Sequence, residues 1–171
     1  MTGSHESNPE MPDQLQVLTF QLGNEGFGVE ISGIQEVLEY RKATRVPRTP
    51  EFMLGVINLR GKVIPVVDLR PHFGLQVKEP TVDTCIIIIH VIIEGENTPL
   101  GILADRVQQV VDIPAEQISP PPKIGNKINA AYIYGMARID EDFIILLRLS
   151  RVFSSDELQK VMDKALEHQD V

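Results

Sequence analysis

The feature that most constrains the fold is an ordered repetition within the chain. Residues 27–38, FGVEISGIQEVL, match residues 100–111, LGILADRVQQVV, 73 positions later. Residues 55–69, GVINLRGKVIPVVDL, match residues 135–149, GMARIDEDFIILLRL, without gaps and 80 positions later. Because both matches occur in the same order, the chain is predicted to contain a duplicated β unit. Two similar barrels, each too small for a robust core alone, are expected to pack face to face.

Short segments rich in β-branched and aromatic residues, separated by turn signals, predict a mainly β fold. The predicted strands cover residues 15–22, 27–31, 54–58, 62–69, 84–93, 100–104, 131–139 and 143–149. The run CIIIIHVII predicts a strand buried on both faces, since a membrane span needs ~20 residues. Residues 31–39 and 104–112 are predicted to be either short helical turns or the starts of strands. Pro65 cannot donate to a ladder, which predicts an edge or bulged strand.

A helix is predicted at the C-terminal end. Ser154 and Glu157 fit a capping box, with Ser154 as the N-cap. The apolar residues that follow share one helical face, and they are Leu158, Val161, Met162, Ala165 and Leu166. The expected organisation is a disordered tail over residues 1–14, a domain of two pseudo-repeated barrels over 15–153, and a helix and tail over 154–171.

Composition excludes several classes of function. The net charge is −8 and the pI is near 5.0, which argues against non-specific binding of nucleic acid. The single cysteine excludes an internal disulfide. The first fourteen residues lack the apolar region of a signal peptide, and no membrane insertion is expected. The protein is predicted to be cytoplasmic.

The residue types that usually perform catalysis form no convergent set. The four histidines have no mutual metal-ligand spacing, and they are His5, His72, His90 and His168. Cys85 is interpreted as a small buried hydrophobe, and residues 140–142, DED, as a solvated hairpin turn. The glycine-rich residues 23–28 join two strands and do not lead into a helix, so a hairpin turn is predicted there. We therefore expect no catalytic residues, no metal, no cofactor and no enzymatic activity.

Two surface features stand out instead. Residues 39–52, EYRKATRVPRTPEF, hold four Lys or Arg residues in an acidic chain. They are either a solvated loop or a basic docking strip beside an apolar seam. Arg60, at the predicted hairpin tip, is an idle turn residue, a partner of a carboxylate such as Glu36, or a contact residue. Its planar fork suits the latter two roles.

Residues 15–153 strongly resemble the CheW family, the adaptors of bacterial chemotaxis arrays. The resemblance rests on the opening TFQLGNEGFGVEI, on IQEV, on RVPRTPEF and on QISPPP. Its most specific part is GVINLRGKVIPVVDLR, and it continues through GMARIDEDFIILLRLSRVF. Arg148 departs from the family, which often has Asn or Asp at that position.

The resemblance implies two five-stranded SH3-like β-barrels packed about a common hydrophobic core. It also implies a non-enzymatic adaptor that joins the cytoplasmic tips of chemoreceptors to the histidine kinase CheA, located at membrane-associated receptor arrays. The kinase's regulatory domain has the same fold. The receptor tip, a helical hairpin, would enter a groove between the barrels.

The positions that the resemblance carries over as receptor-facing form two groups. Four would supply apolar contact, namely Ile34, Val37, Val107 and Val110. Arg60, paired with Glu36, would fix the hairpin and the edge of the groove. The equivalent hairpin tip of the second repeat carries three acidic residues, so the two halves would present unlike surfaces.

Two alternatives remain open at this point. The first is a homologous adaptor for twitching motility or another chemosensory-like pathway, distinguished by the identity of receptor and kinase. The second is a small-molecule binder, since the family is sometimes labelled purine-binding. The sequence has neither a phosphate loop nor an aromatic stacking cluster for a purine, and a purine titration tests this alternative.

Overall fold

The computed structural model describes residues 14–120, 132–149, 159–161 and 163. Eleven strands lie within these residues: β1 (Gln14–Leu22), β2 (Glu25–Glu30), β3 (Ile34–Glu39), β4 (Met53–Leu59), β5 (Lys62–Val67), β6 (Cys85–Ile93), β7 (Glu96–Ala104), β8 (Arg106–Pro114), β9 (Ile118–Ser119), β10 (Ile133–Ile139) and β11 (Asp142–Leu147). Single 3₁₀ turns lie at Ile31–Gly33, Pro71–Phe73 and Ala115–Gln117. The fold is therefore mainly β, as predicted.

The strands form two sheets, and each sheet closes into a barrel. The first barrel has the order β3-β6-β7-β5-β4, and the second has β8-β1-β2-β11-β10 with the short β9 beyond β10. The chain after β3 closes the first barrel at Thr44, whose backbone exchanges hydrogen bonds of 2.8 and 2.9 Å with Val56. The chain after β8 closes the second in the same way, since Ser119 of β9 pairs with Met136.

The pairing of the strands follows the repeat seen in the sequence. In the first barrel β5 runs parallel to β7 with Val66 opposite Gly101, and in the second β11 runs parallel to β2 with Leu146 opposite Gly28. These pairs are related by the shifts of 73 and 80 residues. Each half of the chain therefore places two strands in one barrel and its remaining strands in the other. The barrels are interlocked by strand exchange.

The two hairpins related by the shift of 80 share their irregularities. The β4–β5 ladder shifts register between Met53 and Gly55, and the β10–β11 ladder shifts between Ile133 and Gly135. β5 lies between β4 and β7, so an edge position for the strand of Pro65 is wrong. The ladder is bulged, but the extra residue is Leu54 on the neighbouring strand β4 and not a residue of β5. The strand tolerates proline because its pairing with β7 begins only at the next residue.

Alternation along the strands divides the apolar residues among three clusters. One cluster fills each barrel, with Ile86 and Ile88 of β6 inside the first barrel and Val17 of β1 inside the second. The third and largest lies between the barrels and includes Ile87 and Ile89 of β6. The prediction that this strand is buried on both faces holds for Ile86–Ile89, where one face lines the barrel and the other lines the shared core. It is wrong for the second half of the strand, where His90 and Ile92 are exposed.

The ends of the chain are described only in part. The tail was predicted over residues 1–14, but Gln14 begins β1, so that bound is wrong by one residue. Residues 1–13 lie outside the described residues, as do Ser154 and Glu157 of the predicted capping box. Residues 159–161 are helical, and Val161 is fully buried in the shared core. The described residues contain no helix with the length and hydropathy required to cross a membrane.

We expect Gly28→Ala to destabilise the protein by about 1–3 kcal/mol, because small-to-large changes in packed sites force backbone and rotamer shifts. An added Cβ would lie 2.5 Å from Cγ1 of Val17, inside the second barrel. Urea unfolding measures the change. The control is Gly33→Ala, where nothing lies within 4 Å of the added carbon. Equal unfolding midpoints for the two variants would contradict this account of the parallel strand contact.

Candidate functional site

The hairpin tip between β4 and β5 reaches across to the exposed face of β3. Arg60 has a left-handed backbone with φ of 50°, next to Gly61 with φ of 88°, which is the geometry of a tight hairpin turn. Its guanidinium donates a hydrogen bond from Nη2 to Oε2 of Glu36 on β3. The Arg60 side chain remains 67% exposed, against 27% for Glu36. Arg60 is thus a carboxylate partner whose remaining donors face solvent.

This pair shifts the pKa values of both groups. The hydrogen bond from Arg60, aided by one from the amide of Gln35 at 2.9 Å, lowers the pKa of Glu36 below its ordinary value. The same bond to Glu36 raises the pKa of Arg60. Because the folded pKa of Glu36 is lowered, the pair stabilises the protein above the ordinary glutamate pKa and loses that effect as pH falls through the lowered value.

The four predicted apolar positions divide into two exposed and two packed residues. Val37 on β3 and Val110 on β8 are 42% and 47% exposed. Ile34 and Val107, on the same strands, are half-buried against the shared core. The shift of 73 relates Ile34 to Val107 and Val37 to Val110, so equivalent strands of the two barrels present equivalent residues. Of these four apolar residues, only Val37 and Val110 are exposed enough to contact a partner directly.

The structure joins the two strands at the start of β6. Cys85 pairs with Glu39 at the end of β3, and its thiol donates to the carbonyl of Asp83 at 3.3 Å. The backbone of Val107 on β8 lies close enough to lower the pKa of this thiol. Ile34 and Val107 also pack against the same core. The two halves of the predicted surface are therefore connected through one strand end and one apolar cluster, although they belong to different barrels.

The cysteine, the acidic turn and the histidine considered as chemical candidates show no sign of a catalytic or metal-binding role in the described part of the chain. Burial raises the pKa of the Cys85 thiol, which disfavours the reactive thiolate. Asp140 and Glu141 form an exposed hairpin turn, as predicted, and the exposed Asp142 opens β11. Asp140 has a φ of 58° at the position equivalent to Arg60. No group of three potential metal ligands occurs among the described residues, and His90 is exposed on β6.

A buried ionic network lies beyond the predicted surface. Arg70 follows β5 and has only 3% of its side chain exposed. Its Nε donates to Oδ1 of Asp68 at 2.9 Å and its Nη2 to Oδ2 of the same carboxylate at 3.0 Å, a bidentate pair. Its Nη1 donates to Oδ1 of Asp105 at 2.8 Å. Burial acts to lower the pKa of Arg70, but the two carboxylates outweigh it and the net shift is upward.

The ionic network of Arg70, Asp68 and Asp105 lies where the chain passes from one barrel to the other, and it stabilises that crossing. Asp105 lies between β7 of the first barrel and β8 of the second. Its second carboxylate oxygen accepts a 2.6 Å hydrogen bond from the backbone of Gly23 in the β1–β2 turn. Its own N–H donates to the carbonyl of Gln21. Asp68 and Arg70 both belong to the motif GVINLRGKVIPVVDLR, but no role was predicted for either residue. The available signal was a pair of opposite charges placed directly after an apolar strand.

Fold and surface together define a protein of two interlocked SH3-like barrels that displays one strand of each barrel beside a charged hairpin. The CheW-like domain family matches residues 16–157. The chemotaxis protein CheW of Klebsiella aerogenes is 35% identical over 153 residues, covering 90% of both proteins. That of Treponema pallidum is 34% identical over 151 residues, covering 87% of this chain and 88% of the relative.

A solved structure agrees with these relatives. The crystal structure of the scaffolding protein TtCheW from Thermoanaerobacter tengcongensis superposes with a TM-score of 0.75 at 34% identity, covering 88% of this chain and 94% of that one. The chain belongs to the CheW-like family. The two five-stranded barrels about a shared core, expected from the resemblance, are confirmed.

The buried and exposed arginines are expected to differ in their effect on stability. Arg70→Ala leaves Asp68 buried without its partner, which should cost about 3–5 kcal/mol of unfolding free energy. Arg60→Ala breaks a solvated pair and should leave the urea midpoint nearly unchanged. Chemical denaturation of the two variants beside the parent chain measures both. A large loss on Arg60→Ala would assign the hairpin pair a structural role instead.

The pKa of Glu36 is expected to rise in Arg60→Ala towards its ordinary value, because the hydrogen bond that lowers it is lost. A pH titration of the side-chain carboxyl carbon by NMR measures the shift. Lys62→Ala is the matched control, since it removes the other cation of the same turn. If Glu36 titrates identically in Arg60→Ala and in the parent chain, the ion pair does not persist in solution.

Proposed function

We propose that this protein is a non-enzymatic adaptor in chemotaxis, coupling the cytoplasmic tips of chemoreceptors to the histidine kinase CheA. The observation that carries the proposal is membership of the CheW-like family over nearly the whole chain. Curated relatives of near-equal length are named chemotaxis protein CheW, and the solved neighbour is titled a scaffolding protein. The action proposed is binding without chemistry, in the cytoplasm beside membrane-associated receptor arrays.

The receptor-binding surface proposed here consists of the six positions carried over from the family. They are Ile34, Glu36, Val37, Arg60, Val107 and Val110. Val37 and Val110 offer exposed apolar contact. Ile34 and Val107 pack against the shared core and hold β3 and β8 in position. An amphipathic helix needs apolar anchors of this kind together with a few orienting polar groups. Arg60, held by Glu36, supplies such a group at the edge.

The kinase is proposed to bind through its regulatory domain, which the family resemblance gives the same double-barrel fold. The two hairpin tips favour distinct partners at distinct sites, because one carries Arg60 and Lys62 and the equivalent one carries Asp140, Glu141 and Asp142. Like-charge contacts penalise the wrong partner and opposite charges favour the right one. An adaptor with two different ligands benefits from surfaces that differ in this way.

Calorimetry with the full chain tests the proposal directly. The chain is titrated with a chemoreceptor cytoplasmic tip fragment, then with the kinase regulatory domain, and finally with one in the presence of the other. Binding to both, within one assembly, is the expected result. Binding to the kinase domain alone would overturn the receptor half of the proposal, and binding to neither would overturn the whole.

Val110→Asp and Val37→Asp should each weaken binding of the receptor tip by about 1–3 kcal/mol, the usual range for a contact residue at an interface. Both residues are exposed, so the added carboxylate is tolerated by the fold and acts on the partner. Ile92→Asp is the control, because Ile92 is 63% exposed on β6 and lies outside the proposed surface. Unchanged affinity in Val110→Asp, or an equal loss in Ile92→Asp, would remove β8 from the site.

A further inference from the structure

A cavity of about 320 Å³ opens at the mouth of the first barrel, apart from the surface proposed for the receptor. One wall is the segment after β3, which includes Tyr40, Lys42 and Arg45, and the other is the irregular segment at Val77 and Lys78. The basic strip singled out in the sequence thus wraps the opening of a barrel. Five residues of this strip, 40–43 and 45, line the cavity.

The floor of the cavity is the interior of the barrel itself. Val66, Ile86 and Leu103, all buried members of the first barrel's core, line it together with the half-buried Leu54. Val77 is 56% exposed on the wall. An apolar side chain entering the mouth would therefore contact hydrocarbon on the floor and on one side. The volume falls at the small end of the range for ligand sites, about 300–1,000 Å³.

The rim of the cavity is strongly cationic. It carries Arg41, Lys42, Arg45 and Lys78, all exposed, against the single free carboxylate of Glu79. Asp68 also lines the cavity, but its charge is compensated by the bidentate pair with Arg70. The whole chain carries −8, so this mouth reverses the sign of the protein's charge. The field here favours an anionic ligand.

We propose that the mouth of the first barrel binds an acidic peptide segment of a partner protein, with one apolar side chain inserted between flanking carboxylates. The apolar floor takes the anchor, and the cations on the two walls receive the carboxylates on either side of it. Two walls of irregular chain, with cations on both, fit an extended segment that crosses the opening. The cavity shares no lining residue with the receptor surface, although Arg41 of the rim donates to the carbonyl of Asn58 in the β4–β5 hairpin at 3.1 Å. The proposal holds whether or not the receptor surface binds a receptor.

The test uses the full chain, labelled with ¹⁵N, and the synthetic peptide acetyl-EELEE-amide at millimolar concentration. Saturable shifts are expected at the amides of Tyr40, Ala43 and Val77, weakening as sodium chloride screens the rim. Two matched peptides, acetyl-QQLQQ-amide and acetyl-EESEE-amide, remove the charge and the anchor in turn. Each should bind at least several-fold more weakly than the parent peptide.

Paired variants separate this site from general electrostatics. Lys42→Gln/Lys78→Gln removes one cation from each wall and should weaken acetyl-EELEE-amide about fivefold, at about 0.5 kcal/mol for each exposed contact. Arg48→Gln/Arg138→Gln changes the net charge equally at exposed positions that do not line the cavity, and it should bind like the parent chain. Dispersed spectra of both variants confirm folding.

Three results would overturn the proposal. The first is absence of saturable shifts with acetyl-EELEE-amide, and the second is an equal loss of affinity in the two double variants. The third is saturation of the cavity by sodium octanoate while the peptide fails to bind, which would assign the site to a small amphiphilic anion.

Discussion

Each barrel turns one apolar outer face to the other barrel, and neither of these two faces is stable in water unless the other covers it. Among the described residues, the shared core holds 22 buried residues, whereas the barrel interiors hold 7 and 6. Burial between the barrels is therefore the main source of hydrophobic stabilisation. Every surface feature considered above, including the exposed strands and both hairpin tips, takes its position from this packing. The fully buried Val161 shows that the C-terminal helix contributes to it as well.

Two arginine–carboxylate pairs of the same chemistry have opposite roles because their surroundings differ. Arg70 is buried, bidentate to Asp68 and bonded to Asp105 at the crossing between the barrels, so its charge is tied to the integrity of the fold. Arg60 is exposed at a turn, and its pair with Glu36 leaves most of its fork open to solvent. Sequence motifs place both arginines in one short stretch, and burial is what distinguishes the structural position of Arg70 from the recognition role proposed for Arg60.

Much of the fold could be predicted from the sequence because the duplication leaves a periodic trace. The gap-free match of residues 55–69 to 135–149 predicted equivalent hairpins, and their bulges and turns are equivalent. The exchange of strands between barrels could not be predicted, because it depends on which strand edges pair with each other. The alternation of apolar and polar residues along β3 or β8 would be the same in either barrel. Of the site, the Arg60–Glu36 pair was among the stated options. The cavity was not, since it forms where two separate irregular segments meet over the floor of a barrel.

The strand exchange gives this single chain the connectivity of a domain-swapped dimer whose two halves are fused in tandem. Neither half of the chain contains a complete barrel, so cutting the chain between β5 and β6 would not yield two folded modules. The parallel contacts of β2 with β11 join distant parts of the sequence, and such contacts form late and slow folding. The same connectivity ties both halves to one cooperative unit while leaving their surfaces free to diverge. One hairpin tip is basic and its counterpart is acidic, although both hairpins contribute buried residues to the same shared core.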